Sequence, residues 1–327
     1  MSALVFLKLV AIFAIAALGW IVGKLKWLGA AEMDPARTLS NAAFYIFVPA
    51  LLFRTTARVD LHALPWNTLL AFFAPVFLLL ALIYVAERRR NRGGGLPVAA
   101  PSVRAIGAVF GNTVQVGIPM AAALFGEAGL AIHVTIVSLH SLTLLTVLTA
   151  LVEIDLARER HRGSPVSGRL LATLRTTLRN TIVHPVVLPV LAGFAWNASG
   201  LALPEVADEL LQTLGQAVVP LCLVLIGMSL AYYGLRGAAR GAIVLALLKL
   251  LLLPTLVLVI ARWGFGLTGL PLAVVVMMAA LPVGSNALVF SQRYETLQSE
   301  ASAAIVFSTL GFVVTAPLWL ALLHVLG

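Results

Sequence analysis

Apolar runs long enough to cross a bilayer follow one another along almost the whole chain. Of the 327 residues, 61% are hydrophobic and 11% are charged, whereas soluble domains carry roughly 25% charged residues. A helix of about 20 apolar residues spans the hydrocarbon core. The pattern therefore predicts an all-α polytopic membrane protein with ten transmembrane helices, at roughly 3–23, 41–57, 66–86, 103–125, 129–152, 180–197, 210–231, 240–262, 270–292 and 300–325.

Two of the predicted spans are interrupted, one in each half of the chain. The fourth contains GNTVQVGIPM at 111–120, and the ninth contains ALPVGSNA at 280–287. Proline lacks an N–H and its ring clashes with the carbonyl one turn back, so each segment breaks its helix. Backbone groups freed in lipid survive only where they face protein or a watery cavity. Paired interruptions of this kind are typical of the binding site of a secondary transporter.

The order of proline-marked spans occurs twice along the chain. Ten spans divide into five and five, and a repeat with an odd number of spans is inverted relative to its copy. We therefore predict two inverted five-helix repeats, 1–152 and 180–327, joined by a basic cytoplasmic loop at 153–179, with broken helices 4 and 9 crossing. The prolines that mark corresponding spans are Pro49 and Pro220, Pro75 and Pro254, and Pro119 and Pro282.

The distribution of lysine and arginine predicts the orientation of the chain. With the N-terminus outside, cytoplasmic connections hold 17 of the 22 basic residues, whereas external segments hold four. The positive-inside rule then places both termini outside a bacterial inner membrane. The net charge of +9 thus reflects topology. We expect the arginine-rich stretch at 88–92 to contact anionic membrane lipids, and we expect no nucleic-acid partner.

Polar and small residues beside the two breaks are the candidate substrate-binding residues. The half-helix after each break presents unpaired N–H groups and a positive dipole end, which attract an anion. Glycine permits close approach, and an asparagine amide suits a carboxylate. Alternatively, the amides only satisfy broken backbone, and Thr113 and Gln115 face a neighbouring helix. The predicted set is Asn112, Thr113, Gln115, Gly117, Pro119, Pro282, Gly284, Ser285 and Asn286, with the prolines shaping the site.

Three of the basic side chains inside predicted spans are candidates for coupling or charge neutralisation. Lys249 lies halfway through the eighth span, where a buried lysine is costly and suggests function. It could neutralise substrate charge, snorkel to the surface or cap carbonyls of a broken helix. His133 and His140 are seven residues apart and share a helical face. They could couple protons or act as neutral hydrogen-bonding groups.

The placement of acidic residues bears on how transport would be driven. No Asp or Glu lies deep inside a predicted span, which disfavours sodium coupling through carboxylates and an acidic proton relay. Export of an anion driven by the membrane potential needs neither a sodium site nor a proton relay. Moving one negative charge out of the cell is favourable by about 2.3 kcal/mol per 100 mV. A sodium- or proton-coupled symporter of organic anions is the alternative.

The chain resembles the auxin efflux carrier family, within the bile-acid/arginine-riboflavin transporter superfamily. The resemblance implies a scaffold and a transport domain, a crossover of helices 4 and 9, elevator-like alternating access and a homodimer. It also implies a small organic anion as substrate, such as auxin in plant relatives or malonate and malate in bacterial ones. The segments that carry the resemblance are GNT with GIP at 111–119, FVPALLF at 47–53, VPL with IGMSL at 219–230, and LP with Asn286 at 281–286.

Other classes of protein fit the sequence less well. An intramembrane enzyme would need a nucleophile and a base, and the only material is Ser138, His140 and Ser141. These side chains point in different directions on a helix, and the chain has neither a nucleophile elbow nor a zinc-protease motif. We therefore expect no enzyme activity, no cofactor and no metal. A channel, a sensor and a structural membrane protein are further alternatives to a transporter.

Overall fold

A computed structural model describes residues 3–29, 35–58, 66–91, 94–160, 183, 187–233 and 239–326. These residues are almost entirely helical, and among them the structure has one isolated β-bridge and no strand. We number the helices α1 Ala3–Lys24, α2 Pro35–Ala42, α3 Val48–Arg58, α4 Trp66–Arg90, α5 Ala100–Val109, α6 Ile118–Arg160, α7 Val187–Ala198, α8 Glu205–Tyr233, α9 Ala239–Leu247, α10 Leu253–Val259, α11 Gly269–Ala280, α12 Ser285–Arg293 and α13 Gln298–Leu326. The π-helical segments are Ala43–Phe47, Thr113–Gly117, Leu248–Leu252 and Ile260–Gly264.

The length and composition of the helices are those of a multi-pass membrane protein. The sixth predicted span is described from Val187 to Ala198, and residues 161–182 lie outside the described part. Helix α1 is 22 residues long. Five further stretches within the described ranges are long and apolar enough to cross a bilayer, and they are Trp66–Arg90, Thr113–Val137, Glu205–Leu225, Ala239–Gly264 and Gln298–Leu326.

The fourth and fifth predicted spans are joined by a kink at Gly126 instead of a loop. Gly126 adopts φ 66° and ψ −160°, a conformation that glycine reaches at little cost. Helix α6 then continues to Arg160, beyond the expected end at 152 and into the predicted loop. The buried Asp155 carboxylate accepts a hydrogen bond from the Tyr84 hydroxyl at 2.7 Å and pairs with Arg88 at 3.1 Å. These contacts hold the extra helical turns against α4.

Three of the π-helical segments each end two residues before a proline. Ala43–Phe47 precedes Pro49, Thr113–Gly117 precedes Pro119, and the third, which contains Lys249, precedes Pro254. A proline ring clashes with the carbonyl one turn back and has no N–H to donate. The wider π turn accommodates the ring and changes the direction in which the preceding side chains point. Pro75, Pro220 and Pro317 lie in helices without such a turn.

The helices pack into two groups, and each group draws on both halves of the chain. In the first group, α1 packs along α8, and α3 packs against α7 and α8. In the second group, α4 packs on α5, α9 on α13, and α11 on α6, α10 and α13. The groups meet where α8 touches the Thr113–Gly117 segment and where α6 contacts α1, α3 and α7.

Ion pairs stabilise each packing group internally. In the first group, Arg54 of α3 makes a bidentate pair with Asp208 of α8, at 2.9 and 3.1 Å. In the second group, Arg104 of α5 bonds Glu300 of α13 at 2.8 and 3.0 Å and Glu87 of α4 at 2.6 Å. Glu300 is buried, so the fork geometry of the arginine is well suited to pairing it.

Candidate functional site

The two broken segments pair with each other through their backbones. We call residues 110–112 the first break and residues 281–284 the second break, and together they form the crossover. The Asn112 N–H donates to the Pro282 carbonyl at 2.8 Å, and the Gly284 N–H donates to the Phe110 carbonyl at 2.9 Å. This antiparallel bridge is centred on Gly111 and Val283. Backbone groups released at one break are therefore satisfied by the other, as a membrane interior requires.

A glycine at the second break permits this close approach. A Cβ at Gly284 would lie 2.7 Å from the Gly111 carbonyl oxygen, which is backbone and cannot move aside. Gly117 is similarly confined, since a Cβ there would lie 2.6 Å from His133 Nε2 and 2.8 Å from a methyl of Leu281. Both positions fit glycine because neighbouring groups occupy the space of a side chain.

The half-helix that follows the first break is capped by a residue of the break itself. The Asn112 Oδ1 accepts a hydrogen bond from the Gln115 backbone N–H at 3.2 Å, and its Nδ2 donates to Gln115 Oε1 at 3.2 Å. This is the arrangement of an N-cap residue. Asn112, Thr113 and Gln115 are all buried, and Pro119 follows in the first turn of α6. The Gln115 amide nitrogen has no hydrogen-bond partner among the described groups.

The second break is satisfied by a neighbouring helix instead. The Val283 N–H donates to the Ser308 hydroxyl of α13 at 2.9 Å. Helix α12 begins at Ser285, which is partly exposed, and Asn286 lies in its first turn with 9% of its surface exposed. The Asn286 amide makes no hydrogen bond to another described residue. Its donors and acceptor are therefore available at the positive end of α12.

Three buried basic side chains lie next to the two breaks. The Lys249 ammonium donates a hydrogen bond to the Ala279 carbonyl in the last turn of α11. His133 Nε2 lies 2.8 Å from the Thr113 carbonyl oxygen. The His140 ring packs against the rings of Phe110 and Phe72, with centroid distances of 4.6 and 5.8 Å. The structure thus brings all three predicted basic residues to the two breaks.

The charge at the crossover is not balanced by an acid within the described part of the chain. The buried carboxylates described there, Asp155 and Glu300, are paired with arginines, and Lys249 forms no ion pair with a described residue. Among those residues, no three His, Cys, Asp or Glu side chains gather as a metal site. The side chains of Ser138 and Ser141 lie outside the description. The crossover therefore offers amide donors, helix N-termini and a cation, which together favour an anion.

The sequence did not predict that Ser308 belongs to the site. This residue is buried in α13 and also donates to the Ile305 carbonyl at 3.1 Å, so it bridges its own helix and the second break. A lone serine in an apolar span is a weak signal, because membrane serines commonly bond their own helix. Phe110 was missed for a different reason, since its contribution is a backbone carbonyl.

Long apolar helices and two mutually paired helix breaks define a multi-pass membrane transporter. The chain matches the membrane transport protein family over residues 4–320. It belongs to that family, that of the auxin efflux carriers.

Several curated relatives cover most of the chain. A protein of Methanothermobacter thermautotrophicus named "Uncharacterized transporter" is 26% identical over 92% of this chain and 93% of its own length. A Rhizobium meliloti protein named "Putative malonate transporter" is 26% identical over 85% of this chain and 83% of its own length. An uncharacterized transporter of Methanocaldococcus jannaschii is 23% identical over 90% of this chain and 92% of its own length. Family and relatives point to a transporter and not to an enzyme.

Proposed function

We propose that the protein transports a small organic anion and binds it at the crossover. The observation that carries the proposal is the pairing of two broken helices whose second halves begin there. Their N-termini present partial positive charge. The Asn286 amide and the Gln115 nitrogen supply uncommitted donors, and Lys249 supplies a cation with no described acidic partner. Such a site favours a negatively charged ligand over a neutral or cationic one.

A carboxylate fits the chemistry of this site best. Amide and backbone N–H donors form charge-assisted hydrogen bonds with carboxylate oxygens, and these are stronger than bonds between neutral groups. The relative from Rhizobium meliloti carries malonate in its name. We therefore take malonate as the first compound to test.

The two packing groups suggest how the site reaches both sides of the membrane. The second group contains both breaks, Lys249 and Ser308, and its ion pairs around Arg104 hold it together. The first group contacts the Thr113–Gly117 segment through α8. We propose that the first group is a scaffold, which also forms a homodimer, and that the second moves against it like an elevator. Ten spans in two inverted repeats, with both termini outside the inner membrane, complete this arrangement.

We propose that the membrane potential drives transport without a coupling ion. In coupled transporters, carbonyls at broken helices commonly hold the cation. Here Lys249 donates to such a carbonyl, that of Ala279. A sodium- or proton-coupled symporter is the competing function, and varying each gradient separately distinguishes the two.

Uptake of radiolabelled malonate into proteoliposomes tests the proposal. Potassium gradients with valinomycin set the potential, while sodium and pH gradients are varied independently. We expect saturable uptake that follows the potential alone and competition by other small carboxylates. Accumulation that requires sodium or a pH gradient would establish the symporter instead. Absence of saturable uptake for malonate and for a panel of monocarboxylates would refute the anion-transport proposal.

Two variants connect the activity to the crossover. Asn286→Ala removes the uncommitted amide, and Asn91→Ala is the matched control. The Asn91 amide bonds the Leu96 backbone in a connection far along the chain from either break. We expect transport to be lost in the first variant and kept in the second. Equal transport by both variants would exclude Asn286 as a ligand.

A further inference from the structure

We propose that Lys249 carries a positive charge through the membrane field, so that the unloaded carrier is itself voltage-sensitive. The inference rests on the proposed function insofar as the crossover changes sides during transport. It concerns the step in which no substrate is bound. Its origin is one residue, Lys249, which is completely buried in the π-helical segment Leu248–Leu252.

The surroundings of Lys249 suit an ammonium group. Its Nζ donates to the Ala279 carbonyl of the second break's helix and lies 3.3 Å from the position that a Cβ of Gly111 would take. It therefore touches both crossing segments. The C-terminal end of an α-helix carries about half a negative charge. Helices α5 and α11 both end next to this lysine, at Val109 and Ala280, so their combined dipoles match one positive charge.

No described acid cancels this charge when the crossover moves. Asp155 and Glu300 pair with arginines of their own. The other buried basic groups near the crossover are His133 and His140. Helix dipoles stabilise the ammonium locally, but they belong to backbone that carries no net charge. Lys249 therefore contributes one positive charge to the moving crossover when no substrate is bound.

The charge on Lys249 determines which step of the transport cycle depends on the membrane potential. With Lys249, the crossover and its substrate together carry a charge of +1 when empty, 0 with a monoanion and −1 with a dianion. Without the lysine these values become 0, −1 and −2. The charge moved in a whole cycle equals that of the substrate in both cases, so accumulation at equilibrium is unaffected. Only the voltage dependence of individual steps differs, and a full charge crossing 100 mV shifts an equilibrium about fiftyfold.

Substrate-free charge movement tests the inference without knowing the substrate. The purified carrier is fused into a planar bilayer under voltage clamp, and transient currents are recorded after voltage steps without any organic anion. We expect saturable transients in the wild type and in Lys249→Arg. In Lys249→Gln, which can still donate to the Ala279 carbonyl, we expect the displaced charge to fall at least tenfold.

The same variants distinguish a role of Lys249 as a moving charge from a role as a structural cap of the Ala279 carbonyl. Absent transients in the wild type, or transients of wild-type size in folded Lys249→Gln, would overturn the inference. Failure of malonate uptake with normal substrate-free transients would refute only the proposed substrate.

Discussion

The backbone groups freed at the first break and at the second break find their hydrogen-bond partners in different ways. The first break satisfies its half-helix locally, because Asn112 caps the Gln115 N–H. The second break depends on other helices, since Ser308 accepts from the Val283 N–H and Lys249 donates to the Ala279 carbonyl. As a result, the two asparagines that look equivalent in sequence are in different situations. The Asn112 side chain bonds Gln115 within its own break, whereas the Asn286 amide makes no hydrogen bond to another described residue.

This difference shows that interrupted helices in one protein need not contribute equally to a site. A self-capped break keeps its shape when the substrate leaves. A break held by neighbours can respond to changes in those neighbours, and we propose that its first-turn amide binds the substrate. The following substitutions test whether the two breaks divide the tasks in this way.

The largest effect is expected from Asn286→Ala. Loss of a hydrogen bond to a charged group costs about 1.5–3 kcal/mol, so transport should fall by about 10- to 100-fold. Because the amide has no described protein partner, the thermal midpoint in detergent should match the wild type. Proteoliposome uptake and thermal unfolding on the same preparation measure both. A large loss of thermal stability would show that Asn286 is a structural residue like Asn112.

Gly284→Ala should damage the crossover itself. The new Cβ would lie 2.7 Å from the Gly111 carbonyl, and overpacking of this kind costs about 1–3 kcal/mol. We expect lower thermal stability together with impaired transport. Gly264→Ala is the matched control, since its Cβ would meet nothing closer than 3.7 Å. Equal stability of the two variants would contradict the tight pairing of the breaks.

Asn112→Ala should cost about 1 kcal/mol of stability, because it removes an N-cap. Asn112→Ser keeps a cap-forming oxygen and should restore much of that loss. Thermal unfolding of the two variants gives the comparison. If serine and alanine are equally destabilising, the Asn112 side chain is not acting as a cap.

The smallest effect is expected from Ser308→Ala. It leaves the buried Val283 N–H without its acceptor, at a cost of about 1 kcal/mol. Thr309→Val is the control, since Thr309 bonds only the Ile305 carbonyl of its own helix among the described contacts. Thermal midpoints should rank Ser308→Ala below Thr309→Val. The opposite order would mean that the second break does not depend on α13.

Residues whose effect is local were predictable from the sequence. Pro119, Pro282 and the glycines near them predict the breaks, because proline removes a backbone donor and glycine permits a non-helical backbone. The π turn before Pro254 was not predicted, although it decides where Lys249 points. Neither was the extension of α6 to Arg160, which depends on Asp155 meeting Tyr84 and Arg88. The extension of α6 arises from tertiary contacts that no local pattern encodes.

The sequence also did not predict the hydrogen-bonding environment of the basic residues and of Asn286. Lys249 and Ala279 are 30 positions apart, and the carbonyl that receives the ammonium belongs to an apolar residue with no distinguishing feature. The sequence left capping and substrate neutralisation open for Lys249. It likewise treated Asn112 and Asn286 as a matched pair, because both lie beside a Gly/Pro break. Only the packed structure distinguishes the asparagine that caps its own break from the one whose amide bonds no other described residue.

The bridge between the breaks has a consequence for how the protein is made. Asn112 leaves the ribosome about 170 residues before Pro282, its backbone partner. At 5–20 residues per second, the interval is roughly 10–30 s. During it, a helix with unpaired backbone groups has entered a membrane that penalises them. The insertion machinery or another membrane chaperone must shelter the first break until the last third of the chain arrives. Truncated nascent chains should therefore be recognised as unfinished.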